Sequence, residues 1–431
     1  MSREPTESKT ISRSDREILR SLAGQVAALA ARPAEQEKAR LWKKLNRLER
    51  VRPLISCHPQ NGWVELVTPA DLQCVGGLAR KWEEPLRQEV FLGTRVTHDR
   101  LSMQTFDVEH VYTETDWGMH ERKIGGNGES DSAEGALAPG LSIPAQGGRN
   151  AYAWEAPFRD YDKDLKRLRF PVISVNDKES RRILELAQEV FSGIMPARLR
   201  TDWYWTMGVT YEVAKLRGLQ QMMLDMYDHP EGFHALMAFV RDGINARLDF
   251  LENNGLLVLN YREGMYEGEL PRPGFDPAHV RTRDLLGFAE SQETVGVSPE
   301  MFEEFIFPYQ ASLLERFGIN HYGCCEPLDG RIGIVKRLSR LRRVTVSPWA
   351  NLSFMAESLG DRYILFHKPH PALLAARNLD EELARSTLRQ AYRTTRDCRV
   401  EICLADTNTF GNNPENLTRW SRIAMEEAAA V

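Results

Sequence analysis

The chain has 431 residues, of which 42% are hydrophobic, and its formal net charge is −5. A chain of this size can bury a large core, and its mixed charges resemble neither a duplex nucleic-acid footprint nor a polybasic membrane anchor. No stretch approaches the roughly 20 apolar residues of a transmembrane helix. The six cysteines are widely spaced and the N-terminus lacks a signal-peptide pattern, so we expect a cytoplasmic protein with reduced thiols.

The N-terminal part of the chain divides into two kinds of sequence. Apolar residues recur at helical spacing in the first fifty residues and predict a pair of helices, the second opened by Pro33. Residues 123–150 are rich in Gly, Ser, Ala and Pro and predict a mobile loop that could act as a lid. We therefore separate an N-terminal helical extension with this loop, residues 1–165, from a catalytic domain, residues 166–431. The first part could contribute one strand to the second.

After about residue 170, short apolar runs alternate with amphipathic helical segments, a pattern typical of a parallel sheet in an α/β fold. Residues 106–112 are a candidate for an eighth strand, which would close a (β/α)8 TIM barrel. Chemistry in such barrels lies at the carboxyl ends of the strands. The seven later candidate strands are residues 198–204, 256–261, 285–291, 320–325, 343–347, 363–368 and 400–406.

The predicted strand ends carry polar and aromatic side chains that we expect to converge on one face. Glu290, Glu293 and Asp406 are the candidate catalytic groups, because carboxyl groups can act as general acids or bases. Core packing remains an alternative for the aromatic members of the set. The candidate substrate-binding residues are Arg262, Trp203, Tyr204, Trp349, Asn351, Lys368 and His370.

The segment 320–327 is the most informative stretch, because two adjacent thiols, an imidazole and a carboxylate lie where a strand should end. Such ligands can hold zinc or activate a thiolate. Strand alternation would place His321 and Cys325 on one face, and only one of the two adjacent thiols would face the site unless the chain turns. The candidate metal ligands are Cys324, Cys325, His321 and Glu326. Buried cysteines and a core histidine are the alternative interpretation.

Several segments taken together carry a family resemblance. They are Thr206-Met207-Gly208, Arg217-Gly218, residues 222–230, Glu290-Ser291, residues 297–305, residues 322–326 and Pro414-Glu415-Asn416-Leu417. In this order, over roughly residues 165–425, the sequence resembles the uroporphyrinogen decarboxylase superfamily, and its cobalamin-associated methyltransferase branch more closely than the decarboxylase. The resemblance implies a (β/α)8 barrel.

Two departures from the family pattern guide the choice of chemistry. The segment Arg52-Pro53-Leu54-Ile55 lacks the arginines with which the decarboxylases bind porphyrinogen carboxylates, so that reaction is disfavoured. The His-x-Cys zinc motif of the thiol-activating methyltransferases is not reproduced at 320–325. Other members are thought to bind zinc through glutamates and a histidine, which keeps Glu290, Glu293 and Glu326 open as ligands.

The resemblance implies a methyltransferase that moves a methyl group from a methoxylated aromatic, a methylated amine or a thiol to cobalamin on a separate corrinoid protein. Zinc would act as a Lewis acid at the heteroatom that loses the methyl group. One alternative is a metal-independent decarboxylase or lyase of a small acid, which metal content would distinguish. Another is a non-catalytic binding protein with a degenerate barrel. We expect no nucleic-acid or membrane partner, and a homodimer is compatible with the N-terminal helices.

Overall fold

The computed structural model of the protein describes residues 10–124, 153–259 and 274–431. Most of the predicted glycine-rich loop and the candidate Arg262 lie outside these residues. The two predicted N-terminal helices are present as α1 and α2. The helices of the described residues are α1 Arg13–Ala30, α2 Pro33–Asn46, α3 Trp63–Leu66, α4 Gly77–Arg95, α5 Tyr161–Asp164, α6 Asp177–Phe191, α7 Val209–Arg217, α8 Leu219–Asp228, α9 Pro230–Asn253, α10 Pro299–Phe305, α11 Phe307–Leu314, α12 Ile332–Val335, α13 Leu352–Leu359, α14 Glu381–Thr394 and α15 Glu415–Ala429.

The strands are short, and most of them belong to one sheet. They are β1 Leu54–Cys57, β2 Phe106–Val108, β3 Tyr112–Glu114, β4 Arg122–Ile124, β5 Ala153–Glu155, β6 Ile173–Val175, β7 Ala197–Leu199, β8 Leu286–Ala289, β9 Ile319–Tyr322, β10 Leu341–Val346, β11 Ile364–His367 and β12 Arg399–Leu404. Six of them form a sheet in the order β1-β12-β11-β10-β9-β8, with parallel neighbours throughout. The prediction of an α/β fold with a parallel sheet is confirmed.

Closure of this sheet into a barrel is not seen among the described residues. β2 and β7 pair in parallel as a separate ribbon, and β3 with β6 and β4 with β5 form antiparallel ribbons. Within the predicted strand 256–261, the described residues 256–259 have no strand conformation. The predicted strand 198–204 is reduced to the three residues of β7. The N-terminal region does place a strand in the main sheet, but that strand is β1 and not the candidate at 106–112.

The apolar faces of the N-terminal helices are covered within the same chain. Leu19, Val26 and Trp82 belong to one buried cluster that joins α1 to α4 and α6. Trp42 of α2 is buried beside β1 and donates its indole N–H to the Asp99 carbonyl over 2.7 Å. These helices therefore need no second subunit to bury their apolar faces. None of the helices within the described parts of the chain has both the length and the apolarity required to cross a bilayer.

The interior of the sheet contains a fully buried ion pair between Arg343 on β10 and Glu401 on β12. The Ser56 hydroxyl on β1 donates a hydrogen bond to the other oxygen of Glu401 over 3.0 Å. A buried pair of this kind is costly to assemble, but removing one partner leaves an uncompensated charge in a medium of low polarity. The pair therefore links three strands of the sheet.

We predict that Glu401→Gln lowers the free energy of unfolding by about 3 kcal/mol, because the Arg343 guanidinium loses its compensating charge. Urea denaturation followed by circular dichroism measures this change. Glu37→Gln, which breaks a solvent-exposed pair with Arg40, is the matched control and should change stability little. Equal stability of Glu401→Gln and the wild type would show that the buried pair contributes nothing to the fold.

Candidate functional site

The candidate site is formed where the parallel strands of the main sheet end. Glu290 follows β8, Cys324 follows β9, Lys368 follows β11 and Asp406 follows β12. Because neighbouring strands in this sheet are parallel, their carboxyl ends share one edge, and loops at that edge can bring distant residues together.

The two cysteines follow a sharp turn. β9 ends at Tyr322, and Gly323 adopts a left-handed backbone conformation with φ of 97°. A Cβ atom on Gly323 would lie 2.7 Å from the Leu328 side chain, so glycine is required for both space and conformation. Strand alternation therefore stops before the cysteines, and the Cys324 and Cys325 sulfur atoms lie 3.6 Å apart on the same side.

Lys368 and Asp406 complete a charged cluster around the thiols. The Lys368 Nζ lies 3.9 Å from the Cys324 Sγ and 3.7 Å from the Cys325 Sγ, and it forms a salt bridge with Asp406. The Cys325 Sγ lies 3.6 Å from Asp406 Oδ2. Asp406 itself has a φ of 58°, which is uncommon for a residue other than glycine and concentrates at functional sites.

The environment separates the acidities of the two thiols. A hydrogen bond from Cys324 lowers the pKa of Cys325, and the Lys368 ammonium acts in the same direction against the effect of burial. The same hydrogen bond, together with burial, raises the pKa of Cys324 far above its ordinary value. Although burial opposes it, the neighbouring Cys324 and Asp406 raise the pKa of Lys368. The arrangement favours a thiolate at Cys325 beside a charged ammonium group.

Three glutamates form a second cluster beside β8. Glu290 is fully buried, and burial together with the nearby Glu293 and Glu326 raises its pKa well above the ordinary value. Burial also raises the pKa values of Glu293 and Glu326. Oε2 of Glu290 accepts the Gln292 N–H over 3.0 Å, whereas Oε1 makes no well-formed hydrogen bond to the described residues. A carboxyl group with these properties keeps its proton to a higher pH than an ordinary glutamic acid and can act as an acid.

Gly208 makes room for this buried carboxyl group. A Cβ atom at residue 208 would lie 2.5 Å from Glu290 Oε1 and 2.6 Å from the Glu290 carbonyl oxygen. The Met207 N–H donates to the Phe288 carbonyl over 2.6 Å, which fixes this segment against β8. The Thr210 hydroxyl then donates to Glu293 over 2.9 Å. The start of α7 therefore supplies one wall of the glutamate cluster.

Glu326 connects the two clusters. Its carboxylate accepts the Ser291 N–H over 2.9 Å and the Cys324 N–H over 3.0 Å. Behind it, Arg331 donates to the Ser291 hydroxyl over 3.2 Å and to the Val297 carbonyl over 2.7 Å. The loops after β8 and β9 are thus held at a set separation by buried hydrogen bonds.

His321 does not join the thiols in this arrangement. Its Nε2 lies 2.8 Å from the Thr345 hydroxyl, and its ring lies between Phe288 and Phe366, with centroid distances of 5.1 and 5.2 Å. Burial, with Arg343 and Lys368 nearby, holds the pKa of His321 well below its ordinary value. The residue is a neutral interior histidine below the mouth of the site.

The remaining predicted substrate-binding residues fall into two groups. Trp203 is buried in the core and donates its indole N–H to the Leu256 carbonyl over 2.9 Å, and Tyr204 packs edge-on against Phe317. Trp349 is 66% exposed and packs edge-on against His370, with a centroid distance of 4.9 Å. The Asn351 side chain caps α13. Trp349 and His370 therefore belong to the rim, whereas Trp203 and Tyr204 pack among core residues.

Sequence reasoning missed the contribution of β1 to this edge. His58 follows β1, and its pKa is lowered to about 4 by burial, by Arg100 and by Lys368, with Asp406 opposing. The His58 N–H donates to the Leu404 carbonyl over 2.8 Å at the end of β12, so this imidazole belongs to the same edge of the sheet as Asp406. The short apolar run Leu54–Cys57 ahead of His58-Pro59 is the sequence feature that indicates this strand.

The implied zinc ion requires three or four Cys, His, Asp or Glu side chains that converge on one position. Among the residues that the structure describes, no group of three His, Cys, Asp or Glu side chains is arranged to hold a metal. The ammonium group of Lys368 lies against both sulfur atoms and Asp406, in the region that a cation bound by these ligands would occupy. As arranged, these side chains do not fit a zinc ion.

Neither a protein-family model nor a curated protein matches the chain. Among solved structures, a methyltransferase from Methanosarcina mazei is similar, with 12% sequence identity and a TM-score of 0.49. The likeness covers 90% of this chain and 97% of that chain. A likeness of this degree decides neither the family nor the activity of the present protein.

The thiol cluster leads to a prediction about chemical reactivity. In the wild type, Cys325 should alkylate with iodoacetamide faster than the fully buried Cys403, because a thiolate is the nucleophile. Lys368→Met should slow alkylation of Cys325 by about tenfold at neutral pH, since the thiol loses the ammonium group that lowers its pKa. Mass spectrometry of peptides sampled over time measures the rates.

Lys336→Met is the control for that experiment, since Lys336 bonds to the Ser358 carbonyl away from the cluster. It should leave the Cys325 rate unchanged. If Lys368→Met alkylates at the wild-type rate, the ammonium group does not set the reactivity of Cys325.

Proposed function

We propose that the protein is a methyltransferase that moves a methyl group from a small methylated donor to the corrinoid of a partner protein. The donor is a methoxylated aromatic, a methylated amine or a methylated thiol. The observation that carries the proposal is the buried Glu290 carboxyl group, with its raised pKa, beside Glu293 at the carboxyl edge of the parallel sheet. The resemblance of residues 165–425 to the cobalamin-associated branch of the uroporphyrinogen decarboxylase superfamily supports the same reaction.

Demethylation of an ether or thioether needs a proton at the heteroatom that is left behind. The bond between the methyl carbon and the heteroatom breaks, and the heteroatom keeps the bonding electron pair. The reduced corrinoid, a co-substrate held by the partner, supplies the pair for the new bond to the methyl group. Glu290 donates its proton to the heteroatom, which leaves as an alcohol or thiol. The raised pKa of Glu290 suits this role, because the carboxyl group keeps its proton until the donor is bound.

Neighbouring residues support the acid without taking part in bond breaking. Glu293 lies close enough to interact directly with Glu290, so the two carboxyl groups can share one proton. Glu326 fixes the loop that carries Glu290 through the Ser291 N–H. The Lys368 ammonium and the Cys325 sulfur lie together at the same edge of the sheet and would orient a polar group of the donor.

The exposed rim supplies a surface for the partner. Trp349 projects into solvent at the same edge of the sheet as the charged cluster, and an exposed indole of this kind is common at protein interfaces. A corrinoid protein that covers this rim would exclude water from the reacting groups, which strengthens their electrostatic interactions.

The metal content of the purified protein tests the zinc prediction. Binding at Cys324 and Cys325 would require Lys368 to withdraw, so the proposed proton transfer does not depend on a metal. About one zinc per chain in elemental analysis after chelator-free purification would support the ligand prediction for Cys324, Cys325 and Glu326. Protein without zinc that still transfers methyl groups would remove these residues from the ligand set.

Methyl transfer should depend on Glu290. Purified protein, mixed with a reduced corrinoid protein and a panel of methoxylated aromatics, methylated amines and methylated thiols, should produce methylated cobalamin, which is visible in the absorption spectrum. Glu290→Gln should lower the rate by about 100-fold or more, because the amide is nearly the same shape but cannot donate an acidic proton. Glu300→Gln, at an exposed position in the first turn of α10, should retain the wild-type rate.

Two results would contradict this proposal. One is full methyl transfer by Glu290→Gln, which would exclude Glu290 as the acid. The other is decarboxylation of a small acid by the wild type without any corrinoid, which would favour the lyase alternative with Lys368 binding the carboxylate. Circular dichroism of the variant distinguishes a lost acid from a lost fold.

The pH dependence of the rate gives an independent test. Because the pKa of Glu290 is raised, the proton-donating form persists above the ordinary range for a carboxyl group and is lost as pH rises through the shifted value. With an ether donor, the wild-type rate should therefore fall on the alkaline side of a pH profile. The residual rate of Glu290→Gln should lack that decline. A wild-type rate that stays constant across this range would be inconsistent with Glu290 as the acid.

A further inference from the structure

A cavity lies among α2, α4 and α15, separate from the proposed catalytic groups. Its volume is about 430 Å³, and it is lined by the start of α2, the end of α4, the segment 96–102 and two residues of α15. None of the glutamates or thiols of the candidate site lines it. A volume of this size is within the range of pockets that hold small organic ligands.

One buried side chain lining this cavity has an unused hydrogen-bonding atom. His98 is 6% exposed, and its Nδ1 has no hydrogen-bond partner among the described residues. A neutral imidazole has one donor nitrogen and one acceptor nitrogen, and its tautomer decides which of the two Nδ1 is. Burial, with Lys38, Arg100 and His58 nearby, holds the pKa of His98 well below its ordinary value, so the ring is neutral. Nδ1 is therefore a buried polar atom without a partner among the described residues, and a hydroxyl group can pair with it in either tautomer.

The cavity is also basic. Arg32, Lys38, Arg95 and Arg422 line it, against one carboxylate, Glu35. Lys38 already bonds to Glu35, and Arg95 and Arg422 have carboxylate neighbours outside the cavity. Arg32 donates one hydrogen bond to the Gly93 carbonyl over 2.9 Å, and that oxygen is neutral. The positive charge of the Arg32 guanidinium is thus available to an anion.

We propose that this cavity binds a small organic anion that also carries a hydroxyl group. Its carboxylate or phosphate group would contact Arg32 and the neighbouring basic side chains, because a guanidinium group matches the geometry of either anion. Its hydroxyl group would form a hydrogen bond with Nδ1 of His98. A buried polar atom without a partner is costly, so a ligand that supplies the partner is favoured over an otherwise equal one that does not.

Two matched pairs of probes test the hydroxyl requirement and distinguish the two sources of negative charge. Malate and succinate differ in one hydroxyl group, whereas glycerol 3-phosphate and propyl phosphate have the same chain length and differ in two. Isothermal titration calorimetry at pH 7.5 with the full-length protein should show that at least one hydroxylated member binds about tenfold more tightly than its matched partner. The pair that shows this preference identifies the anionic group.

Two variants connect that preference to the residues named. His98→Phe keeps a ring but removes Nδ1, and it should abolish the difference between the members of the preferred pair. Arg32→Gln changes an exposed residue and should weaken binding of both members by about fivefold, because each has the same anionic group. Arg13→Gln, at an exposed position on α1, should leave binding unchanged.

The proposal is overturned if none of the four probes binds, or if the hydroxyl group makes no difference in either pair. It is also overturned if Arg32→Gln binds the preferred probe as tightly as the wild type. If His98→Phe does not fold by circular dichroism, the matched probe pair and Arg32→Gln still decide the question.

Discussion

The Glu326 carboxylate is the contact on which the geometry of the candidate site depends. It accepts backbone N–H groups from Ser291 and from Cys324, and so it joins the loop that carries the buried glutamates to the loop that carries the thiols. These loops are far apart in sequence, but the Gly323 N–H donates to the Ala289 carbonyl over 2.9 Å where β8 and β9 end, and Arg331 supports the Ser291 loop from behind. Glu326 is buried, and hydrogen bonds are stronger where little water competes for them. Loss of these bonds would also be costly, because it would leave a buried carboxylate unsatisfied.

The electrostatic character of the site follows from this burial. Three carboxyl groups close together in a poorly hydrated region cannot all ionise easily, and the result is the raised pKa of Glu290. On the other side, the Lys368 ammonium compensates for Asp406 and favours the thiolate form of Cys325. The same edge of one sheet thus holds an acidic proton near β8 and a compensated ionic cluster between β9, β11 and β12. That polarity is useful for a reaction that leaves a heteroatom in need of a proton.

Much of the sheet could be predicted, because a buried parallel strand is a short apolar run between helical segments. The strands from β8 to β12 were predicted within a few residues for this reason. β1 was missed, since Leu54–Cys57 lies outside the regular alternation of apolar runs and helices that begins after about residue 170. Two separate helices, α10 and α11, follow β8, because Pro308 cannot donate an N–H and the chain breaks at Ile306.

The candidate site was harder to predict than the strands that support it. The strand ends identified Glu290, Lys368 and Asp406, whose positions follow directly from where β8, β11 and β12 stop. The relation between the two cysteines was not predictable, because it depends on the left-handed conformation of Gly323 and on the space that Leu328 occupies. The role of Gly208 was equally hidden, since the sequence does not reveal that a glutamate 82 residues later approaches its backbone. Local patterns predict elements, whereas close approaches between elements depend on packing.

The proposed anion cavity and the candidate site are connected by one strand. Asp99, next to His98, donates its N–H to the Ile55 carbonyl over 2.7 Å, and its carboxylate accepts the Ile55 N–H over 2.8 Å. Arg52 pairs with the same carboxylate. Ile55 lies in the middle of β1, which ends next to His58 and the Lys368–Asp406 pair. A ligand bound at His98 would therefore contact a segment that is hydrogen-bonded to the strand just before His58, at the opposite end of the sheet order from β8 and its glutamates.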